Sequence, residues 1–457
     1  MRLEHFLKIC GSLLLIFSLL LVAGCSQKPK DTTGSSGTVE QSGPVESESK
    51  STNMNETEIT ETQKPAEPLS EYEQAIVDAY SRAVLYEGSD EMRSAIAAVL
   101  QKAINGEPVT FAALGDSITF GAGATIPEEK WISVVAAWLE DLDGDPSNGN
   151  VTLVNAGIGG TEAVYGAARI ERDVLPSNPD LVMVDFGTND FGLPHGAEGY
   201  EGILTKLISA GIPVINSNIC PRSGNNIQNA QLPINKAYGV PQVSFREAYY
   251  ELSKTTEVEG LRADELWLLV DNVHPTPQGH KLQGELMISY LQKEILDKGV
   301  KPGDAPSKLP SPVTKNGFSD AVLIENTTSD PRVTVELGNG WTANYSPSLE
   351  QITSKGWQTS TIGSSITFTT DSAYFYFICA NTKKSGYIDV AIDGVHKETI
   401  TNYYNSVGYR VGSIAHVVMH FDSPGEHTVT FTLADNPQIE KDWLGLCAVG
   451  AANFNKN

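Results

Sequence analysis

Apolar residues are spaced in two different ways along this chain, and the change of spacing separates two kinds of structure. Between residues 69 and 105 the period is helical: Ala75, Ile76, Ala79, Tyr80 and Ala83 are followed by Met92, Ala95, Ile96, Val99 and Leu100. Ser70 and Glu73 stand at its start with the spacing of a capping box. Short, almost wholly apolar runs follow at 109–114, 151–155, 181–186, 212–219 and 242–245. Helix-like stretches at 131–142, 162–174, 200–210, 226–237, 246–254 and 276–296 separate or follow them. A strand without a polar face must be covered on both sides, so this order predicts an α/β fold with a parallel five-stranded sheet flanked by helices.

Further along, the period drops to two. Segments 365–370, 373–378, 387–392, 415–421 and 428–433 have strand length, and several alternate apolar with polar residues. Asp393-Gly394 marks a tight hairpin, and Pro424-Gly425-Glu426-His427 marks another turn. This spacing predicts an all-β sandwich over 313–457. Residues 301–312, rich in Pro, Ser, Lys and Gly, read as a linker crossed by few contacts, leaving the α/β domain at 69–300.

The amino end has another character. Arg2 and Lys8 precede an apolar run that ends in small residues before Cys25, the pattern of a secretory leader over 1–24. The run is too short to span a bilayer. Val22-Ala23-Gly24-Cys25 resembles the lipobox of bacterial lipoproteins. That resemblance implies a lipidated Cys25 as the mature first residue, anchored on the outer face of the bacterial cell membrane. Residues 25–68 carry Ser, Thr, Gly, Glu, Gln, Lys and Pro with almost no aliphatic residue, too little apolar surface to offset the entropy of ordering. They read as a disordered tether reaching on the order of 35 Å.

Composition narrows the choice of partner. A net charge of −24 argues against nucleic acid, whose phosphates need a basic face, and against docking on anionic lipid beyond the anchor itself. Cys10 and Cys25 belong to the leader and its end. Cys220, Cys379 and Cys447 lie among apolar neighbours and read as buried thiols, with a Cys379–Cys447 bridge as the alternative. No spacing fits a metal site, and no cofactor is expected.

Four polar segments carry the chemistry, three at the carboxyl ends of predicted strands and one after the last: Gly115-Asp116-Ser117-Ile118-Thr119, Asn155-Ala156-Gly157-Ile158-Gly159-Gly160, Gly187-Thr188-Asn189-Asp190 and Asp271-Asn272-Val273-His274. Ligands of open parallel sheets sit at those strand ends, so the sheet gathers the distant segments into one site. Together they supply what acyl transfer needs. Ser117 offers a hydroxyl where a helix begins, and His274 offers a base to take its proton. Asp271, three residues earlier, is within reach of the imidazole Nδ1–H. Ser117 and Gly160 N–H groups with the Asn189 amide form the expected oxyanion hole. Asp116 and Asp190 read as scaffold carboxylates, His280 as a packed or surface histidine, and His195 as an exposed loop residue or a pocket wall.

These segments resemble the blocks of the SGNH hydrolases, also called the GDSL esterase/lipase superfamily, over roughly residues 105–298. The resemblance implies a flavodoxin-like three-layer sandwich with Ser117 as nucleophile and Gly160 and Asn189 as oxyanion donors. It likewise implies Asp271 and His274 as the Asp-x-x-His pair, followed by Pro275. Ile118-Thr119 replaces the leucine of the name-giving signature, and the second block offers three glycines, 157, 159 and 160. The run 365–394 with residues 424–428 resembles the galactose-binding-like jelly rolls appended to carbohydrate-active enzymes. Trp341, Trp357, Tyr403, Tyr404 and Trp443 are its candidate sugar-stacking rings, with core packing the favoured role for most of them. The reading is an extracytoplasmic serine esterase that deacylates carbohydrate, its partner an acylated small molecule or polysaccharide. A lipase, lysophospholipase or acyltransferase of the same superfamily is the alternative, and a surface carbohydrate-binding protein is the alternative outside enzymes.

Overall fold

The computed structural model describes residues 71–219, 221–248, 268–314, 317–346, 355–381, 384–400, 413–421, 425–437 and 442–453. The leader, Cys25, the tether, Ser70, Cys220, residues 249–254, Tyr403, Tyr404 and Pro424 lie outside them. The helical stretch expected over 69–105 is in fact two helices, α1 (Glu71–Ala83) and α2 (Asp90–Ile104), with a strand β1 (Val84–Tyr86) between them. Gly88, at φ 92°, turns the chain after that strand. Ser89 then caps α2 by accepting the Met92 N–H.

The five apolar runs become β2 (Val109–Gly115), β3 (Val151–Gly157), β4 (Leu181–Asp185), β5 (Val214–Asn218) and β6 (Gln242–Ser244). They pair in parallel, and β1 adds an antiparallel edge against β6, so the sheet has six strands in the order β1-β6-β5-β4-β2-β3. In register, Gly115 lies opposite Gly157 on one side and Asp185 on the other. The ends of β3, β2 and β4 therefore stand side by side.

Helices α3 (Ser117–Phe120), α4 (Trp131–Glu140), α5 (Ala163–Asp173), α6 (Gly196–Ser209), α7 (Gln228–Tyr238) and α8 (Pro277–Tyr290) complete the α/β domain. The last runs on as a π-helical turn, Leu291–Leu296. Helices α5 and α6 pack closely because Gly199 has no side chain: a Cβ there would sit 2.4 Å from the Val164 nitrogen.

The carboxyl-terminal part is a sandwich of two antiparallel sheets. Its strands are β7 (Val322–Ile324), β8 (Val333–Leu337), β9 (Thr342–Tyr345), β10 (Gly356–Thr359), β11 (Ser365–Thr370), β12 (Tyr374–Asn381), β13 (Tyr387–Ile392), β14 (Val395–Ile400), β15 (Ser413–His420), β16 (His427–Ala434) and β17 (Leu444–Ala452). One sheet runs β15-β12-β17-β10-β9 with β7 also on β17, and the other runs β14-β13-β16-β11-β8. Phe368, Phe375, Phe377, Phe431, Leu433 and Val449 fill the space between them. Trp341 and Trp357 belong to this core, and Trp443 packs on Tyr345. Cys379 and Cys447 are buried and form no disulfide with one another.

Residues 301–312 have no regular structure, but the expectation of few contacts across them is overturned. Residues Ala75–Asn457 form one compact unit. The outward faces of β12 and β17 present Ile378, Ala380, Cys447 and Ala448 to Ile158 and Tyr165 of the α/β domain, and the six pack as one buried apolar cluster. Buried Glu201 accepts the Val313 N–H at 2.6 Å and the Thr314 N–H at 2.8 Å. Lys206 donates to the Ala321 carbonyl at 2.6 Å, and Arg172 donates to Glu325 at 2.7 Å. The His195 ring stands edge-on to Tyr374, 5.2 Å between centroids, so it faces the sandwich as part of this contact.

Candidate active site

Asp116 ends the loop after β2 and caps α3, its Oδ1 accepting the Ile118 N–H at 2.9 Å. Ser117 therefore sits in the first turn of a helix of four residues. Its surroundings are the N–H groups of that turn rather than the end of a long dipole.

His274 arrives on a tight loop closed by the Val270 N–H to His274 carbonyl bond and by a bridge between Leu269 and Pro275. Within the loop Asp271 Oδ1 accepts the Val273 and His274 N–H groups at 2.6 and 2.8 Å. Its Oδ2 lies 2.8 Å from His274 Nδ1. On the other side of the ring, Nε2 stands 2.9 Å from Ser117 Oγ. Hydroxyl, imidazole and carboxylate thus form one hydrogen-bonded line. Burial works against ionising Asp271, but its hydrogen bonds to His274 and Val273 outweigh that and hold its pKa below the ordinary carboxylate value.

The oxyanion candidates are arranged less simply. Gly157 spends its N–H on Asn155 Oδ1 at 2.9 Å, which removes it from the three glycines. Gly160 is exposed at φ 74°, with open space where a Cβ would project. Asn189 Nδ2 donates to the Thr161 carbonyl at 3.0 Å and to Asp116 Oδ2 at 3.2 Å. Offering an N–H to a ligand means releasing one of these. Thr161 was not singled out in the sequence, and nothing local marks its carbonyl as a partner for Asn189.

Buried carboxylates surround this floor. Burial lifts Asp116 to about 6, against the Ile118 N–H, His274 and Arg169. Asp185, which accepts the Thr119 hydroxyl at 3.2 Å, is also raised by burial and by Asp116. Asp190 caps α5 through the Ala163 N–H at 2.9 Å, and burial pushes it to about 7. His280 is buried, 3.1 Å from the Ala122 carbonyl, and burial lowers it to about 4, so it stays neutral as a packing group. Among the described residues no cluster of His, Cys, Asp and Glu could hold a metal ion. Phe191 and Leu193, just past Asn189, and Val270, beside Asp271, expose about half of their surface, 50%, 49% and 55%.

Asp190 gives a pH test of this floor. Its folded pKa lies above the unfolded value, so its stabilising share is complete below about pH 4 and disappears as pH rises through about 7. Asp190→Asn keeps an oxygen for the Ala163 N–H and removes the titration. Thermal unfolding at pH 4.5, 6 and 7.5 should show a smaller loss of stability with rising pH than in the parent, the difference being on the order of a few kcal/mol. Parallel pH curves would show that Asp190 titrates normally.

Residues 113–282 match the family model described as GDSL-like Lipase/Acylhydrolase. This region is a GDSL-like hydrolase domain. An arylesterase of Vibrio mimicus is 28% identical over 191 residues, 40% of this chain and 88% of the relative. With that relative and that domain, the chain is a carboxylic ester hydrolase. Both layers of the fold recur together in the crystal structure of a two-domain esterase active on acetylated mannans. It is 25% identical, with a TM-score of 0.68, and the match covers 83% of this chain and 99% of that one. A second structure of such an esterase, co-crystallised with mannopentaose, matches with 24% identity and a TM-score of 0.70 over the same shares.

Proposed function

We propose that this GDSL-like hydrolase is a serine esterase that removes acetyl groups from a polysaccharide. The observation carrying the mechanism is the unbroken line from Ser117 Oγ through His274 to Asp271, with contacts of 2.9 and 2.8 Å. His274 Nε2 takes the hydroxyl proton as Ser117 attacks the ester carbonyl, and Asp271 fixes the tautomer and steadies the imidazolium. The tetrahedral oxyanion is met by the Ser117 and Gly160 N–H groups and by Asn189, whose amide turns from Asp116 toward it. His274 then gives that proton to the departing sugar oxygen, which leaves as a hydroxyl. Water repeats the sequence on the acetyl-serine and releases acetate.

The acetylated carbohydrate is supported by the likeness to the acetylated-mannan esterase, which extends over the α/β domain and the sandwich together. Exposed Phe191, Leu193 and Val270 provide an apolar rim suited to the faces of sugar rings. The leader and the lipobox-like Val22-Ala23-Gly24-Cys25 add the location, outside the cytoplasm and tethered at Cys25. Acetate release from acetylated mannan and acetylated xylan, beside aryl esters of graded chain length, tests the substrate. Acetyl esters should turn over fastest, and the acetylated polymers should yield acetate. A preference for long acyl chains would favour the lipase alternative. Mass spectrometry of the membrane-bound protein should find a diacylglyceryl group on Cys25, and an unmodified amino end elsewhere would overturn the anchor.

A further inference from the structure

Arg169 has no part in that mechanism, yet it is fully buried on α5, at 0% exposure. Its Nη2 donates at 2.9 Å to the Gly115 carbonyl, which closes β2 immediately before Asp116 and Ser117. The same carbonyl accepts the Ile158 N–H at 3.0 Å from the segment that leads to Gly160. One acceptor thus joins the nucleophile's strand end to the oxyanion loop, and Arg169 holds it.

The other arm of the guanidinium leads away from the site. Nη1 donates to Asp173 Oδ2 at 2.9 Å. Arg172 grips the same carboxylate through Nε and Nη2 at 2.5 and 2.9 Å, and its Nη1 reaches Glu325 Oε1 at 2.7 Å. Glu325 follows β7, in the sandwich part, and is itself buried. The Arg169 guanidinium also lies 5.6 Å from the ring of Tyr165, one of the α/β residues packed on β12 and β17. A buried ion pair is weak evidence of stabilisation, since well-packed apolar residues often serve equally well. The informative fact is that Nη2 points to the Gly115 carbonyl.

We propose that Arg169 is a positioning residue for ester hydrolysis, holding the Gly115 carbonyl ahead of the nucleophile, and that the sandwich sets it through Asp173, Arg172 and Glu325. This rests on Ser117 being the nucleophile. A displacement of about 1 Å at a reacting group costs as much as a hundredfold in rate, so a partly slackened brace costs less than that. The sandwich then affects turnover of an ester too small to touch it.

The test uses the full chain with Arg172→Met and Glu325→Gln, singly and combined, and Arg169→Lys beside them. kcat and KM are measured on a small aryl acetate, with each rate divided by the sites titrated by a fluorophosphonate, and melting is followed in parallel. Each single change at Arg172 or Glu325 should lower kcat per titrated site about five- to twentyfold with KM within about twofold, and the pair should fall no further than the worse single, as members of one network do. Should Arg169→Lys fail to fold, the Arg172 and Glu325 variants still decide the matter. Unchanged kcat per titrated site in both, even with a lowered melting point, would overturn the proposal alone. A fluorophosphonate attached to the parent elsewhere than Ser117 would overturn the triad, and this proposal with it.

Discussion

Ser117→Ala lowers kcat on an aryl acetate by about ten-thousandfold or more while the far-UV circular dichroism stays that of the parent. The reason is geometric: Ser117 Oγ is the hydroxyl that stands 2.9 Å from His274 Nε2. His274→Ala should cost a similar factor, and the double variant should be no slower, because the two groups act as one unit and their losses do not add. Asp271→Asn should cost less, since the base remains and loses only its orienting charge. Asn189→Ala should lower kcat about a hundredfold and leave KM little changed, as expected of a donor used mainly in the transition state. Full esterase activity in Ser117→Ala would end the triad reading.

Removing the sandwich should be as damaging to the fold as Ser117→Ala is to the chemistry. A chain ending at Asp304 exposes Ile158 and Tyr165, which now lie under Ile378, Ala380, Cys447 and Ala448. Each large apolar side chain returned to water costs about 1.5–3 kcal/mol. The cut also strips buried Glu201 of the Val313 and Thr314 donors and takes Glu325 from Arg172. Each hydrogen bond to a charged group lost in this way costs about 1.5–3 kcal/mol. Together these losses reach the whole stability of an ordinary domain, about 5–15 kcal/mol. The expected product is insoluble or lacks a cooperative melting transition. A truncated chain that melts cooperatively and cleaves aryl acetate at the parent rate would show that the α/β domain stands alone.

Much of the α/β domain was legible because each parallel strand is a continuous apolar run bounded by helix-period sequence. Val84–Tyr86 was not, since three residues between two helices carry no period of their own and pair only with distant β6. In the sandwich, β11 and β13 were legible from their alternation. β14 was missed because Val395–Ile400 lies almost wholly in solvent and carries His396, Lys397 and Glu398. β17 was missed for the opposite reason: every residue of Leu444–Ala452 is buried, so nothing alternates. The linker misled because its composition reports only on itself, whereas the contact across it is made by residues far away in sequence.

The site divides along the same line. Ser117, Asp271 and His274 sit in short local patterns, and the structure brings them within hydrogen-bonding distance of one another. The Thr161 carbonyl that holds Asn189, and the Arg169 guanidinium on Gly115, depend on the packing of β3, α5 and the sheet. An arginine in an amphipathic helix reads as a solvent-facing residue. Its burial follows from the side of α5 it occupies, the one turned to Gly115 at the end of β2.

Strand β17 has a consequence for how such chains can be recombined. Leu446 and Val449 serve the interior of the sandwich, while Cys447 and Ala448, next to them, serve the seam with the α/β domain. A bulge opposite Ile378 and Cys379 makes the switch of sides. A swap that carries the sandwich onto another hydrolase brings half of a seam whose other half stays behind. Descent should therefore keep the two parts together, with volume changes at Cys447 or Ala448 answered at Ile158 or Tyr165. Chimeras cut at the irregular segment 301–312 should fail unless the seam is transplanted with the strand.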